Sequence, residues 1–574
     1  MTADAPPSWR RWVVPAGRRV RALLPQRVDL TGMAASPGRN VLAGVTVGVV
    51  ALPLALGFGI TSGLGATAGL ITAIVAGTLA ALFGGSNVQV SGPTGAMTVV
   101  LVPIVALYGA NGVLVVALMA GVLLLAMSFA GVGRYVRFIP LPVIEGFTLG
   151  IAVIIALQQV PAALGVEGSG EQVALVAWDA AREWVAHPQL APVIVTTLVV
   201  TAILIVARVR PVLPIALGAV IAATIAVQAF HVTIEVIGEL PSGLPTPALP
   251  ELALSDLRTL AAPALAVAAL AALESLLSAT VADAMTVSER HDPDRELFGQ
   301  GIANLVTPLF GGIPATAAIA RTAVNVRAGA TSRLAAIVHA LILLVIVLAF
   351  TNAVSLIPLA ALAGVLIATA IRMVEVSSVR VLIRTSRSDA VVLAVTFVAT
   401  VALDLATAVI LGIVAAGALA LREMARSASL QKESLSALSP DHDDEHSAQE
   451  LALLRSHIVA YRLEGPLFFG GAHAALLELA EVSDVRVAIL RLSHLTTLDR
   501  TGSHVLADTI RSLERRGVAV LVSGLPARFA TLLDATGVSR ELAQKGHLFE
   551  HTSDAIAHAH RHARRDGIDE HHHD

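Results

Sequence analysis

The chain has no cysteine, so disulfides, thiolate catalysis and cysteine metal sites are excluded, and the redox compartment stays open. Charge is scarce as well: charged residues make up 14% of 574 positions, against about a quarter in ordinary soluble domains. Nor does an apolar stretch precede Val41, so the arm carrying Arg10, Arg11, Arg18, Arg19, Arg21, Arg27 and Arg39 is no cleavable signal peptide. It reads as a basic arm on the cytoplasmic side. What abounds is apolar surface. Hydrophobic residues reach 55% and mean hydropathy is +0.77, which points to a polytopic membrane protein rather than a soluble enzyme. Net charge is only -3, and the arginines gather beside the apolar runs, a pattern of topology and lipid contact rather than nucleic-acid binding.

Apolar runs able to cross roughly 30 Å of hydrocarbon lie near residues 42–62, 66–84, 111–131, 138–160, 190–207, 213–231, 260–284, 297–311, 334–351, 354–371, 388–403 and 405–421. Two shorter runs, 94–108 and 317–327, begin at glycine-rich interruptions, 84–95 and 311–321. Counted as half-helices they bring the total to fourteen, seven on each side of the proline-rich stretch 232–259. Seven segments reverse the orientation of the chain, so the pattern predicts an inverted repeat whose third element is interrupted in each half. Arginine placement agrees. Arg134, Arg137, Arg208, Arg210, Arg290, Arg295, Arg327, Arg333, Arg372, Arg380, Arg384, Arg387, Arg422 and Arg426 follow even-numbered segments, while the odd-numbered loops hold almost only Arg182 and Arg258. Both termini are therefore expected in the cytoplasm.

The resulting domains are a basic arm (1–40), a transport domain (41–427, with repeats 41–231 and 260–427), an acidic linker (428–452), a small α/β domain (453–565) and a His-rich tail (566–574) that reads as solvated. In the α/β domain, strand patterns at 456–463, 486–492 and 518–523 alternate with helical ones at 470–482, 502–516 and 526–536.

Unwound backbone at membrane depth is tolerated only where it is buried in protein or lines a wet cavity. A helix that starts there turns its free N–H groups and positive dipole end toward the gap. Two such starts, facing each other from inverted halves, form an anion pocket from backbone alone. Thr94, Gly95, Ala317 and Ala318 stand at these starts, though small residues also suit plain helix packing. Glu274 sits deep in the apolar stretch 268–278, where a carboxylate must be neutralised by a proton, a cation or a partner. Ser278, four residues on, shares its face, so the pair is a candidate for the coupling ion, H⁺ or Na⁺. Arg321 either adds positive potential to the pocket or forms an ion pair with Glu274. Phe58, between two glycines, either lines a cavity or packs. Asp283 and Asp404, near segment ends, read as solvated or capping. Ser91 has no histidine base close by in sequence, so an intramembrane protease is disfavoured; neither catalytic residues, a metal site nor a resident cofactor is expected.

These residues together resemble the SulP (sulfate permease) family of anion transporters. The resemblance is carried by the Pro53 region, residues 89–95, Glu274–Ser278 with Asp283, Glu296 and Leu297 with 299–301, the stretch 311–316, and Ala320–Thr322 with Asn325. It implies the seven-plus-seven fold of uracil permeases, a core domain moving against a gate domain, a homodimer in the plasma membrane, and an anion site at Phe58, Thr94, Gly95, Ala317 and Ala318. It further implies secondary-active transport of bicarbonate, a dicarboxylate or sulfate, with the acid of the eighth helix in the coupling-ion site. Na⁺-using bicarbonate transporters of the family resemble the chain around 50–63 but tend to carry aspartate and threonine where it has Glu274 and Ser278. That departure favours H⁺ symport over the alternatives, Na⁺ symport or an uncoupled exchanger or channel. Residues 498–502, Leu-Asp-Arg-Thr-Gly, resemble a STAS domain, with Arg500 where related antagonist proteins have a phosphorylatable serine. Thr501 is expected to be the N-cap of the helix that follows.

Overall fold

The apolar runs fold as helices close to where the sequence predicts them. The computed structural model describes residues 23–168, 172–209, 215–240, 243, 245–251, 254–286, 290–403, 405–426, 429–433, 457–468 and 485–568. Arg210, Asp404, residues 434–452 of the linker, the pattern at 470–482 and residues 569–574 lie outside them. The chain divides into two units, one ending at Val414 and one beginning at Ala415.

The first unit contains α1 (Arg27–Ala35), α2 (Pro37–Thr61), α3 (Ala66–Phe83), α4 (Gly95–Ala130), α5 (Leu141–Gln158), α6 (Leu190–Val209), α7 (Ile215–Ala229), α8 (Ala261–Met285), α9 (Pro293–Val306), α10 (Ile319–Arg327), α11 (Leu334–Ala349), α12 (Leu359–Met373) and α13 (Arg387–Ala402), with α14 (Leu405–Arg426) crossing the division. Among the described residues, eight helical stretches are long and apolar enough to span a membrane. Within α4, Gly109 adopts φ 68° and ψ -175°, a backbone that glycine alone takes cheaply, and this separates a half-helix from the span behind it. With that break the fourteen expected segments are all present as helices. Several starts differ from expectation by two to five residues, and two of these bear on the unwound segments. Helix α9 begins at Pro293 rather than 297, because the Asp292 side chain accepts from the backbone N–H groups of Asp294 (3.0 Å) and Arg295 (3.1 Å). Helix α10 begins at Ile319 rather than 317, because Thr316 and Ala317 are held in a strand.

That strand, β2 (Thr316–Ala317), pairs antiparallel with β1 (Ser91–Gly92), Ser91 opposite Ala317 and Gly92 opposite Thr316. Each strand leads into a half-helix, so the two half-helices leave the pair in opposite directions.

Unwound backbone here needs partners, and side chains of neighbouring helices supply them. Glu296, Gln300 and Asn304 form one stripe along α9, spaced i, i+4, i+8. The Glu296 carboxylate accepts from the N–H of Gly85 (2.9 Å) and of Ser86 (3.3 Å). The Gln300 amide donates to the Ser91 hydroxyl at 2.7 Å. Asn304 closes both backbone groups of Ala315, accepting from its N–H at 2.8 Å and donating to its carbonyl at 2.9 Å. From other helices, Thr72 accepts from Ile313 N–H (2.8 Å), Thr322 accepts from Val90 N–H (3.1 Å), and Asn325 donates to the Val88 carbonyl (2.7 Å). Arg333 donates to the carbonyls of Ala81 (3.0 Å) and Gly84 (2.6 Å) at the end of α3, and is itself paired with Asp29 of α1 at 3.4 Å. Asp29 also bonds Arg295 at 2.5 Å. Asp283, expected to be solvated or capping, is partly exposed and accepts from the ring and the backbone N–H of His291, at 2.7 and 3.1 Å.

The second unit is a five-stranded sheet in the order β3 (Ser429–Glu433), β4 (Ile458–Leu467), β5 (Val487–Leu498), β6 (Ala519–Ser523), β7 (Leu548–Phe549), antiparallel at the first pair and parallel thereafter. Strand alternation decides its faces. Ala488, Leu490, Val520 and Val522 pack under α15 (Arg500–Arg515), α16 (Ala527–Asp534) and α17 (Val538–Gln544), whereas Val487, Ile489 and Leu521 meet Ala555, Ile556 and Ala559 of α18 (Thr552–Ile568). The N-cap of α15 is Asp499, not Thr501: its carboxylate accepts from Gly502 N–H at 2.6 Å. Aspartate reaches this N–H from the residue before the helix, while Thr501 already lies in the first turn.

Two measurements test these contacts. Asn304→Ala strands two buried backbone groups at a cost of about 1–3 kcal/mol each. Its thermal midpoint in detergent should fall by several degrees, and an unchanged midpoint refutes the assigned role. In the second unit, burial first and then His558 and His562 hold His547 below its ordinary value of 6.5. The unfolded chain therefore binds this proton more readily than the folded one, and the stabilisation, complete above about pH 6.5, is lost as pH falls through that value. The unit should melt earlier at about pH 5.5 than at about pH 7.5, and His547→Leu should shrink the difference in calorimetry.

Candidate functional site

The first half-helix starts at Gly95, with Thr94 as its cap: the threonine hydroxyl accepts from Met97 N–H at 3.4 Å. The same hydroxyl donates to the Glu274 carboxylate at 2.9 Å. On the other strand the Thr316 hydroxyl also lies beside Glu274, and it bonds Ser275 at 3.1 Å. The acid of α8 thus sits against the threonines of both unwound segments. Glu274, like Leu273 beside it, keeps part of its surface accessible.

Arg321, one turn into α10, is only 1% exposed. Its Nη2 donates to the Pro93 carbonyl at 2.7 Å, tying the second half-helix to the start of the first, and its Nη1 has no hydrogen-bond partner. Among the described residues, neither Glu274 nor Arg321 is in an ion pair. Of the two roles read for Arg321, the ion pair with Glu274 is absent, so opposite charges share the site without direct contact.

Phe58 of α2 is buried with its ring edge 3.2 Å from the point where a Cβ on Gly95 would stand, and Cδ1 of Ile155 on α5 lies 2.1 Å from that point. A side chain on Gly95 therefore has no room, and the first helix start is closely covered. The second start is more open: Ala320 is exposed, and Ala318 and Ile319 are partly accessible. The N–H groups of Ala317 and Ala318 are already used, by the Ser275 hydroxyl (3.1 Å) and the Val90 carbonyl (3.0 Å). The donors that remain at this end belong to the first turn, from Ile319 onward. Ser278 is not joined to Glu274; its hydroxyl donates to Thr322 at 3.2 Å.

Thr94, Gly95, Phe58, Glu274 and Arg321 are therefore brought together, with Ala317 and Ala318 as backbone supports and Ser278 a turn away. Sequence reasoning assigned no role to Thr72, Ser275, Gln300, Asn304 or Thr316. The available signal was the i, i+4, i+8 run of polar residues in α9, in a region otherwise apolar. Cation chemistry from a three-ligand cluster has no candidate among the described residues.

Comparison with known proteins places this geometry. The chain matches the sulfate permease family over residues 38–396 and the STAS domain over 452–555. It is 36% identical over 524 residues to YvdB of Bacillus subtilis, a protein named provisionally as a sulfate transporter, covering 89% of this chain and 96% of that one. It is 32% identical over 532 residues to the bicarbonate transporter BicA of Synechocystis, covering 90% and 93%. The solved transmembrane domain of a cyanobacterial BicA superposes with a TM-score of 0.61 at 33% identity, over 65% of this chain and 98% of that one. Murine Slc26a9 in an inward-facing state matches at TM-score 0.76 with 17% identity, over 97% of this chain and 96% of that one, a likeness of fold alone. With a match across most of the membrane unit and relatives aligned along nearly their whole length, the chain belongs to the sulfate permease family and is a multi-pass membrane protein with a C-terminal STAS domain.

Proposed function

We propose that the protein is a secondary-active anion transporter working by alternating access, and that it couples uptake of bicarbonate, a dicarboxylate or sulfate to protons through Glu274. One observation carries the reading: the hydroxyl that caps the first half-helix is hydrogen-bonded to the Glu274 carboxylate, so protonation of Glu274 acts on the start of an anion-facing helix. Relatives named for sulfate and bicarbonate supply the substrate class. A pocket made of helix starts, small side chains and one guanidinium selects by charge and size, which fits such a range of small anions.

Protons are favoured over Na⁺ because a bare cation needs several converging oxygens, and the Ser278 hydroxyl is turned to Thr322 instead of Glu274. The arginine distribution supports cytoplasmic termini in the plasma membrane. A homodimer, with the STAS domain serving contacts or regulation, completes the proposal.

Full-length protein in proteoliposomes tests it. An inward proton gradient should drive accumulation of labelled sulfate or bicarbonate, and Glu274→Gln should lower that driven uptake at least tenfold, the scale set by about 1.4 kcal/mol of lost coupling. Gradient-driven uptake that survives Glu274→Gln overturns the coupling assignment. Current insensitive both to pH and to this substitution identifies an uncoupled channel or exchanger. Arg321→Gln should weaken anion binding whichever of these holds.

A further inference from the structure

His339, on α11, is fully buried, and neither ring nitrogen makes a hydrogen bond of normal geometry, although the backbone of Ala336, one turn back, lies close enough to interact with the ring. Nη1 of Arg321 is likewise buried without a partner. The two groups border the same strip of α3. Ala73 lies 3.3 Å from the Cβ position of Gly92, which is itself 2.6 Å from Nη1 of Arg321. One turn along, Gly77 has no side chain, and its Cβ position is 3.3 Å from the Ser91 carbonyl oxygen and 3.7 Å from Cε1 of His339. Arg321 is the charge that faces the imidazole. The helices packed on α11 bring no other: α3 has no charged residue, and α2 only Arg39, in its first turn.

The Ala336 backbone can serve one ring nitrogen at most, so the other gives up its hydration without return, and an apolar side chain of similar size would be the more stable occupant unless something else bonds it. A buried water needs two to four polar partners. Three border the strip around Ala73 and Gly77: Nη1 of Arg321, a ring nitrogen of His339 and the Ser91 carbonyl. We propose that an ordered water bridges Arg321 and His339, and that His339 is a positioning residue which, through this water, fixes the direction in which Arg321 presents its charge to the bound anion. Nη1 donates to the water, and the water donates to the unprotonated ring nitrogen. With Nη2 held by the Pro93 carbonyl, the guanidinium is then fixed at both ends. The inference rests on the anion-binding reading of the site.

The test compares wild type, His339→Leu, His339→Met and His339→Gln as full-length protein in nanodiscs, titrated with sulfate and with bicarbonate. The apolar variants lose at most the contact with the Ala336 backbone, so they should still fold, with thermal midpoints close to wild type, yet bind the anion roughly tenfold more weakly, while His339→Gln, which can hold the water, should return to within about threefold of wild type. A high-resolution map of the wild type should show density between Nη1 and the ring. Equal affinity in wild type and the apolar variants overturns the proposal, as does an unfolded state for both apolar variants, which marks the ring as purely structural. If the wild type binds neither anion, the reading of the site fails instead, and the map alone decides the water: density in the gap sustains the bridge, and an empty gap removes it.

Discussion

Every peptide group in the two unwound segments carries a donor and an acceptor that hydrocarbon cannot satisfy. This constraint governs the membrane unit. Two-residue strands meet part of it by pairing with each other, but a pair that short leaves most of the flanking groups open. Side chains close the rest, and they come from helices of both halves: Thr72 of the first holds Ile313 of the second, while Asn325 of the second holds Val88 of the first. Neither unwound segment is stable on the resources of its own half. The crossing bonds explain why polar residues collect in α9 and α10 at an otherwise prohibitive cost.

How much of this could be read beforehand follows from the physics. Helix spans were legible because length and hydropathy suffice to place a segment across a bilayer, and the break at Gly109 was legible because it separated two apolar runs. The half-helix starts were legible from glycine and proline, to within two residues. Their partners were not, since a polar side chain in an apolar helix states that a bond exists without stating to what. Glu274 illustrates the limit: its depth marked it as a group that needs a partner, while the chain of α8 gave no sign that Thr94, 180 residues away, would hold it. Asn304 was missed altogether, because one amide near a helix end carries no distinctive spacing unless Glu296 and Gln300 are read with it. At Asp499 the error was one of choice between neighbours, aspartate and threonine both being good caps.

The absence of a Glu274–Arg321 ion pair has an electrostatic consequence. A direct pair at this depth would neutralise both charges and leave little reason for a small anion to enter. Separated, with the carboxylate hydrogen-bonded to a threonine and the guanidinium to a carbonyl, each keeps a field that a ligand or a proton can answer. Protonating the carboxylate would leave Arg321 and the helix starts as a net positive site. On the proposed function, binding of an anion and of a proton would then favour each other by the same factor in either order, which is the thermodynamic content of coupled transport.

The two half-helix starts are not equivalent, and this bears on how an anion reaches them. Gly95 is pressed against Phe58 and Ile155, while Ala320, at the opposite start, is exposed. Ile155 belongs to α5, which does not contribute to either strand, whereas Phe58 belongs to α2, packed on α3 and α11 beside them. A displacement of α5 alone would uncover Gly95 and leave its scaffold of hydrogen bonds intact. Alternating access, under the proposed function, requires that kind of division, in which the elements that bind the anion are cross-bonded into one body and the surface that covers them is held mainly by apolar contact, here with one polar link at its edge, Gln159 to Thr61 at 3.2 Å. Apolar contacts are non-directional and re-form at small cost after sliding, while the hydrogen bonds around β1 and β2 would each leave a buried group unsatisfied if broken. The boundary between moving parts should therefore run between Ile155 and Gly95, and not through the strand pair.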